Sequence, residues 1–388
     1  MLNWLLHEEV LLKIIVVGGG AAGFFAAIAA KTTYPQASVI LHERSNQVLS
    51  KVRISGGGRC NVTHACFDPK ELVKNYPRGS KELLGPFHRF QPLDTIQWFL
   101  EKEVALKTEA DGRMFPVTDS SETIIQCLLK EAQRVGVEIR LQSKFTLETF
   151  DGDRLILATG SAPSGWDIAK KLGHTIEPPV PSLFTFNIPH FPLKSVAGIS
   201  LNRVRLELEG TKLFQEGPLL ITHWGLSGPA ALKLSAFGAR YLAENNYEVT
   251  LSIDWLPQFS VEELTSLLNQ EHSHKKLSSI RSLPLPKRLW NLLCEGEDQQ
   301  INRMSKSTLR QLCEKLKRDR YQVKGKTTNK EEFVTCGGVT LSEVHFKTME
   351  SKLHPGLYFC GEILAIDGIT GGFNFQNAWT TGWIAGTA

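Results

Sequence analysis

Residues 13–43 read KIIVVGGGAAGFFAAIAAKTTYPQASVILHE, and each part of that run has a physical job. The β-branched stretch Ile14 to Val17 predicts a strand, Gly18-x-Gly20-x-x-Gly23 the turn after it, and the Ala-rich segment a helix. Ser38 to His42, ending at Glu43, predicts a second strand. Gly18 permits the tight turn, Gly20 lets the backbone approach a pyrophosphate, and Gly23 lets the helix pack on the strand. Ala21 and Ala22 open the helix, whose free N–H groups attract anionic phosphate. Glu43, 20 residues past Gly23, is placed to accept hydrogen bonds from an adenosine ribose. Strand, glycine turn, helix, strand and acid in this order predict an α/β, Rossmann-like domain with a dinucleotide site. The pattern admits NAD and FAD alike.

Beyond Glu43 the chain departs from a simple nicotinamide dehydrogenase. SGGGRCNVTH, residues 55–64, sets three glycines directly before Arg59, Cys60 and Asn61. Each glycine costs roughly 0.5–1 kcal/mol of backbone entropy against alanine, so three together need a compensating use. Flanked by Ile54 and Val62, the stretch reads as a rigid loop whose amides lie against a ligand, with Arg59 as a charged clamp and Asn61 as an orienting group. The βα rhythm is then lost in polar, turn-rich sequence from Asp68 to Gln91. A later strand, Arg154 to Ala158, ends in the small-residue turn Ala158-Thr159-Gly160. Near the other end a strand Leu357 to Cys360 runs into Gly361-Glu362, and Asp367 precedes Thr370-Gly371-Gly372-Phe373-Asn374. A helix is expected from about Gln376 onward. The glycine pair at its entry would aim N–H groups at an electron-rich ligand atom.

Length and composition set the remaining bounds. The chain has 388 residues, of which 42% are apolar, enough for a large core and about two to three domains. Apolar runs such as Ile14 to Val17 and Leu155 to Ala158 are far shorter than the roughly 18 residues of a membrane span. The first residues, MLNWLLHEEVLL, carry no basic n-region or small-residue cleavage site, so a cytoplasmic location is expected. Seven cysteines, none spaced as CxxC, argue against a disulfide framework or a zinc site. Net charge is +4, but Lys275 to Lys330 holds fifteen Lys/Arg against five Asp/Glu. That segment reads either as a solvated helical face or as a surface for an anionic partner.

Between about Ser182 and Phe333 the pattern changes. Leu201 to Glu209 alternates as a half-buried strand does, and Val249 to Ile253 looks similar. THWGLSGPAALKLSAFGARYL reads as a turn followed by a helix from near Pro229. Ser260-x-x-Glu263 is a capping box opening a helix, and the helical pattern continues through Arg318, with Leu289 and Trp290 as core.

SGGGRCN, ITHWGLSGPAAL (221–232), VTCGGV (334–339), TMESKLHPGLYFCGE (348–362) and DGITGGFN (367–374), in this order after the N-terminal glycine motif, resemble the HI0933-like (BaiN/YhiN-type) FAD-binding flavoproteins. The resemblance covers essentially the whole chain. It implies an FAD-binding fold of glutathione-reductase type in two sequence segments, 1–181 and 334–388. An inserted β-rich domain at 182–256 with a return strand at 322–333, and a helical subdomain at 257–321, complete it. It carries FAD contacts to Gly18, Gly20, Ala21, Ala22, Gly23, Glu43, Arg44, Lys51, Gly58, Arg59, Cys60, Asn61, Gly160, Gly361, Glu362, Asp367, Gly371, Gly372, Phe373 and Asn374. Arg44 and Lys51 can neutralise phosphate or cover adenine, and Asp367 can hold ribityl or ribose hydroxyls. Two departures stand out. Leu49-Ser50 replaces the usual Gly-Arg before the lysine, and Lys144 to Leu155 is shorter than the usual hairpin, which leaves Phe145 over Thr146 as the residue expected at the adenine.

The activity so implied is that of an FAD-dependent oxidoreductase passing hydride through flavin N5 to a small-molecule substrate, such as an enone, with the protein supplying position and polarity. No second Gly-x-Gly-x-x-Gly follows a strand, so NAD(P)H as donor would have to reach the flavin directly. No catalytic acid or base stands out; His64, His223 and Glu362 are candidates by motif proximity, each with a structural alternative. Cys60, lacking a CxxC partner, reads as a packed, inert thiol. The rival reading is a flavoprotein that binds or acts on nucleic acid through residues 275–330.

Overall fold

A computed structural model describes residues 12–272, 274–295, 298–327 and 334–388. The leader reading of residues 1–11 and parts of the basic segment and return strand (296, 297 and 328–333) lie outside the described residues. The described chain falls into two compact units, one drawn from Met1–Pro179 and Lys330–Ala388, the other from Val180–Asn329.

The first unit is built on a seven-stranded sheet. Its order is Val344–His345, Glu350–Ser351, Leu357–Phe359, Arg154–Leu157, Lys13–Val17, Ser38–His42, Glu138–Arg140. The last five are parallel, in registers such as Leu155 opposite both Ile15 and Leu357, and Ile15 opposite Ile40. Ile14, Ile15, Val16, Leu155, Ile156 and Leu157 are all buried, as expected where a parallel sheet is covered on both faces. Strand order turns about Lys13–Val17: the chain goes first to Ser38–His42 on one side and later to Arg154–Leu157 on the other. Ligands of open α/β sheets bind beyond the carboxyl ends of strands at such a switch point.

The helix Ala21–Thr33 is buried along most of its length and packs against the last helix, Phe373–Thr387. Glycines make the approach possible: a Cβ at Gly382 would lie 2.6 Å from Ala22 O, and one at Gly386 2.4 Å from Ala26 O. That final helix begins three residues earlier than the sequence suggests, at Phe373, because Gly372 takes φ +92° and serves as its N-cap. One further expectation changes and another gains detail. The turn-rich stretch after Asp68 contains the helices Pro69–Leu72 and Ser80–Phe87, the first opened by the Asp68 side chain and a proline. The rigid loop expected at Ser55–Gly57 is the kinked end of a segment that starts helically at Ser50, with Gly56 and Gly57 in the left-handed region.

The second unit has its own antiparallel seven-stranded sheet, ordered Asp319–Lys324, Glu248–Asp254, Ser200–Leu208, Phe214–Ile221, Gly225–Ser227, Thr185–Asn187, Lys326–Thr327. The strands expected at Leu201 and Val249 are both present, and the helix expected near Pro229 runs Pro229–Phe237. Ser260 and Glu263 form the reciprocal capping box of Val261–His272: Glu263 N donates to Ser260 Oγ at 3.1 Å and Ser260 N to Glu263 Oε2 at 2.7 Å. The helices Lys287–Leu293 and Lys306–Lys317 follow, with Leu289, Trp290, Leu309 and Leu316 in one apolar core with the sheet. The return strand starts at Asp319.

Candidate functional site

Four neighbouring parallel strands of the first unit end in residues singled out from the sequence. Val17 leads into Gly18, His42 into Glu43, Leu157 into Gly160 three residues on, and Phe359 into Gly361. Gly18, Gly160 and Gly361 have φ of +113°, +60° and +74°, a region that side chains with a β-carbon rarely adopt. Gly18 is also pressed on its neighbour, since a Cβ there would stand 2.4 Å from Ala158 O. At Gly23 it would stand 1.9 Å from Gly18 O, so this glycine closes the helix onto the turn. Gly20 is different: an added Cβ meets nothing within 4 Å. It is the N-cap of Ala21–Thr33, no side chain caps it, and the first turn carries no acid. The helix therefore presents uncapped N–H groups and the positive end of its dipole to an open cradle.

Glu43 holds the edge of that cradle. Its Oε2 accepts from Gly19 N and its Oε1 from Ser45 N, both at 2.8 Å. A carboxylate has about four acceptor sites, so hydroxyls can still be accommodated. Arg44 is exposed beside it. Phe145 is nearly buried, edge-on to His42 with ring centroids 6.0 Å apart, on the segment that returns past the end of the Ser38–His42 strand. Lys51 pairs with Glu362 Oε2 at 2.5 Å, and Glu362 Oε1 accepts from Thr335 N at 3.1 Å, so this acid fixes three chain segments together.

The two glycine loops meet. With its carboxamide oriented to satisfy every partner, Asn61 accepts from Gly372 N at 3.0 Å and donates to Thr63 O at 3.1 Å. Gly372 lies so close to the strand Thr63–His64 that a Cβ would come within 2.5 Å of Thr63 O, and one at Gly371 within 2.9 Å of the Phe373 ring. His64 stacks on Phe373, centroids 4.7 Å apart, and its Nε2 is 3.1 Å from Asp111 O. Gly57 and Gly58, at φ +68° and +84°, face open space like Gly20. Three positions thus leave backbone uncovered where a Cβ would fill it, Gly20 at a helix N-terminus edged by a ribose-type acid and Gly57 and Gly58 in the second glycine loop. This donor set fits a dinucleotide such as FAD.

Several side chains differ from their expected use. Asp367 is fully buried and both its oxygens go to Arg78, Oδ1 accepting from Nε at 2.5 Å and Oδ2 from Nη2, so its visible role is an ion pair within the fold. The Arg59 guanidinium is held by Glu109 at 2.6 Å and Asp119 at 3.4 Å and lies 3.9 Å over the Phe115 ring, so its side chain braces the loop rather than clamping a ligand. The Asn374 amide closes its own loop, accepting from Gly368 N at 2.8 Å and donating to Gly368 O at 2.9 Å. Cys60 is completely buried at φ +60°, and burial pushes its thiol up to about 12, which keeps it protonated. His223 lies exposed in the second unit, while His64 and Glu362 belong to the first.

Sequence reasoning missed the polar frame beneath the site. Gln376, wholly buried, accepts from Thr63 Oγ1 at 2.6 Å and Thr95 Oγ1 at 3.0 Å. Tyr76 Oη donates to Phe373 O at 2.6 Å, and Trp379 Nε1 to Val62 O at 2.9 Å. Only the density of polar residues within an otherwise apolar final helix hinted at this. Among the described residues no cluster of His, Cys, Asp and Glu is set to hold a metal, and no helix is long and apolar enough to cross a membrane.

Comparison with known proteins agrees with this geometry. The family model described as the HI0933-like protein Rossmann domain matches residues 12–388. The chain is 30% identical over 379 residues to the ribosomal RNA dihydrouridine synthase of Escherichia coli, spanning 89% of this chain and 90% of that one. It is 31% identical over 379 residues to the protein of the same name from Haemophilus influenzae, spanning 89% and 91%. It is 28% identical over 393 residues to the 3-dehydro-bile acid delta(4,6)-reductase of Clostridium scindens, spanning 93% and 95%.

Proposed function

We propose, on the premise that the chain belongs to the HI0933-like family of FAD-dependent oxidoreductases, that it reduces a carbon–carbon double bond conjugated to a carbonyl, and that the double bond belongs to a uracil ring in RNA. The observation that carries the reaction class is shared by relatives with different substrates. Dihydrouridine is uridine with its ring double bond saturated beside a carbonyl, and a 4,6-diene next to a 3-oxo group is a conjugated system of the same kind. Both substrate types call for hydride at a carbon conjugated to the carbonyl, β for the double bond beside it and δ for the further one of a diene, and for a proton on the carbon that takes up the displaced electron pair.

Bound reduced flavin would supply that hydride. The chain's own residues bind and orient. The N-terminus of Ala21–Thr33, with Gly18, Gly20, Ala21, Ala22 and Gly23, takes the pyrophosphate; Glu43 takes the adenosine ribose; Arg44 and Phe145 flank the adenine. Gly160, Gly361, Glu362 and Lys51 would line the middle of the cofactor. The loops Gly58 to Asn61 and Gly371 to Asn374, joined by Asn61, would hold the ring system. NAD(P)H is the electron donor, reaching the flavin without a domain of its own.

RNA is favoured over a steroid by surface charge in the second unit. Lys275, Lys276, Lys287, Arg303 and Lys306 are exposed, and none is ion-paired to a described carboxylate. Cations left to solvent in one segment suit a polyphosphate backbone.

The test is an anaerobic titration of the flavin-loaded protein with NADH and with NADPH. The reduced protein is then incubated with unmodified ribosomal RNA transcripts or with a 3-oxo-4,6-diene bile acid, each product being read by mass spectrometry. Gain of two hydrogens on a uridine is expected. Gain on the steroid alone would replace the RNA reading with the small-molecule one, and flavin that neither nicotinamide bleaches would sink the donor assignment.

A further inference from the structure

The second unit has a cavity of about 560 Å³ that the cofactor site does not use. Its walls include Lys194, Lys324, His190, His223, Phe191 and Trp224, and no acidic residue lines it. Trp224 is 68% exposed, more than any other large apolar side chain among the described residues. An indole left in water forgoes the burial that stabilises most tryptophans, so an exposed one inside a concave, cationic surface marks a contact surface.

The turn that carries this indole is also held in place. His223 and Trp224 are the two central residues of a hairpin turn between the strands Phe214–Ile221 and Gly225–Ser227. Thr222 clamps the turn: its Oγ1 accepts from Gly225 N at 3.1 Å and Trp224 N at 3.3 Å, and its own N–H donates to Gly225 O at 2.8 Å. Trp224 O accepts from Ile188 N at 2.8 Å, fixing the turn to the neighbouring strand. Only glycine suits position 225, where φ is +152° and a Cβ would lie 2.1 Å from Phe186 O. Around the turn, Lys194 is exposed with no ion-pair partner among the described residues, and Lys324, 66% exposed, meets among them one carboxylate, Glu248 at 3.4 Å.

From this we infer that the cavity is a single-stranded RNA subsite, with a nucleobase stacked on Trp224 and flanking phosphates held by Lys194 and Lys324. A flat indole on a fixed turn accepts any base through its π face, and lysines beside it meet the backbone on either side. The two histidines add hydrogen-bond donors and acceptors for base edges or phosphate. The inference rests on the RNA reading of the proposed function and says which surface of the second unit holds the strand.

The test uses the flavin-loaded full chain and a twelve-nucleotide oligouridylate, with binding read by fluorescence anisotropy of the labelled RNA over a range of salt. Trp224→Ala is expected to weaken binding on the order of 10- to 100-fold, and Trp224→Phe, which keeps an aromatic face, much less. Lys194→Gln combined with Lys324→Gln is expected to lower the slope of log K against log salt by about 1.4, the share of two single-strand phosphates. Flavin content and far-UV spectra show that each variant is folded. Equal affinity and salt slope in wild type and variants overturn the inference, as does cholate displacing the RNA label while the oligonucleotide is insensitive to Trp224. Trp224-dependent binding stands in its favour whether or not uridine is then reduced, so the two proposals fail separately.

Discussion

Asn61 accepts a hydrogen bond from the main-chain N–H of Gly372 at 3.0 Å, joining the two glycine-rich loops of the cofactor site across more than three hundred residues of sequence. Its amide hydrogens go to Thr63 O and Met114 O at 3.1 and 3.3 Å. Asn61→Asp keeps the size but turns a donor into an acceptor facing two carbonyls. A cost of about 1–3 kcal/mol is expected, with flavin lost from the purified protein, measured as the ratio of flavin to protein absorbance. Full flavin occupancy in the variant would remove Asn61 from the site.

Arg78 binds the fully buried Asp367 with two nitrogens. Arg78→Ala leaves an unpaired buried carboxylate and should lower stability by about 3–5 kcal/mol in urea unfolding. The paired change Arg78→Met with Asp367→Leu should recover part of that loss, because it removes the charge with its partner. Equal destabilisation by the single and double changes would mean the pair is not coupled.

Gly20 and Gly23 separate binding from folding. Gly20→Val places its side chain in open space and costs only about 1 kcal/mol at an N-cap, yet it fills the cradle, so a folded protein without FAD is expected. Gly23→Ala puts a carbon 1.9 Å from Gly18 O and should lose both fold and flavin. Thermal melts with flavin quantitation distinguish the two, and a Gly20→Val protein that keeps its flavin would contradict the phosphate cradle.

Cys60 should be inert. With its thiol pushed up to about 12 by burial, almost no thiolate exists near neutral pH. Iodoacetamide applied to the native protein near pH 8 is expected to leave Cys60 and the equally buried Cys360 unmodified, while denatured protein reacts at all seven cysteines. Rapid native labelling of Cys60, read by peptide mass spectrometry, would revive a redox role.

His174 should make stability pH-dependent. It is buried between Glu343 Oε2 at 3.0 Å and Ser351 Oγ at 2.8 Å, and burial, outweighing the Glu343 carboxylate, lowers its pKa below 6.5. As pH falls below 6.5 the unfolded chain binds this proton first, so stability drops until the folded-state pKa is passed. His174→Gln should flatten the urea midpoint across that window. An unchanged slope would assign the acid sensitivity elsewhere.

How much was legible varies with distance along the chain. The dinucleotide motif was readable because its parts are local: a glycine that needs positive φ, a glycine that needs no side chain, and an acid one strand away all sit within residues 13–43. The amphipathic strands and the Ser260–Glu263 box of the second unit were readable for the same reason. The roles of Arg59, Asp367 and Asn374 were not, because a charged or amide side chain serves whichever partner packing brings to it. For Asp367 that partner is 289 residues away in sequence.

The amino-acid sequence by itself determined the Rossmann core, the order of the segments and the places where glycine is obligatory, since backbone conformation and hydrophobic period are short-range properties. Only the tertiary structure decided which polar groups were already satisfied and which were left open. It buried Cys60, closed Asp367 on Arg78, and left Gly20, Gly57, Gly58 and Trp224 facing solvent. Burial and pairing belong to the packed molecule, and they separate residues that hold the fold from those available to a ligand.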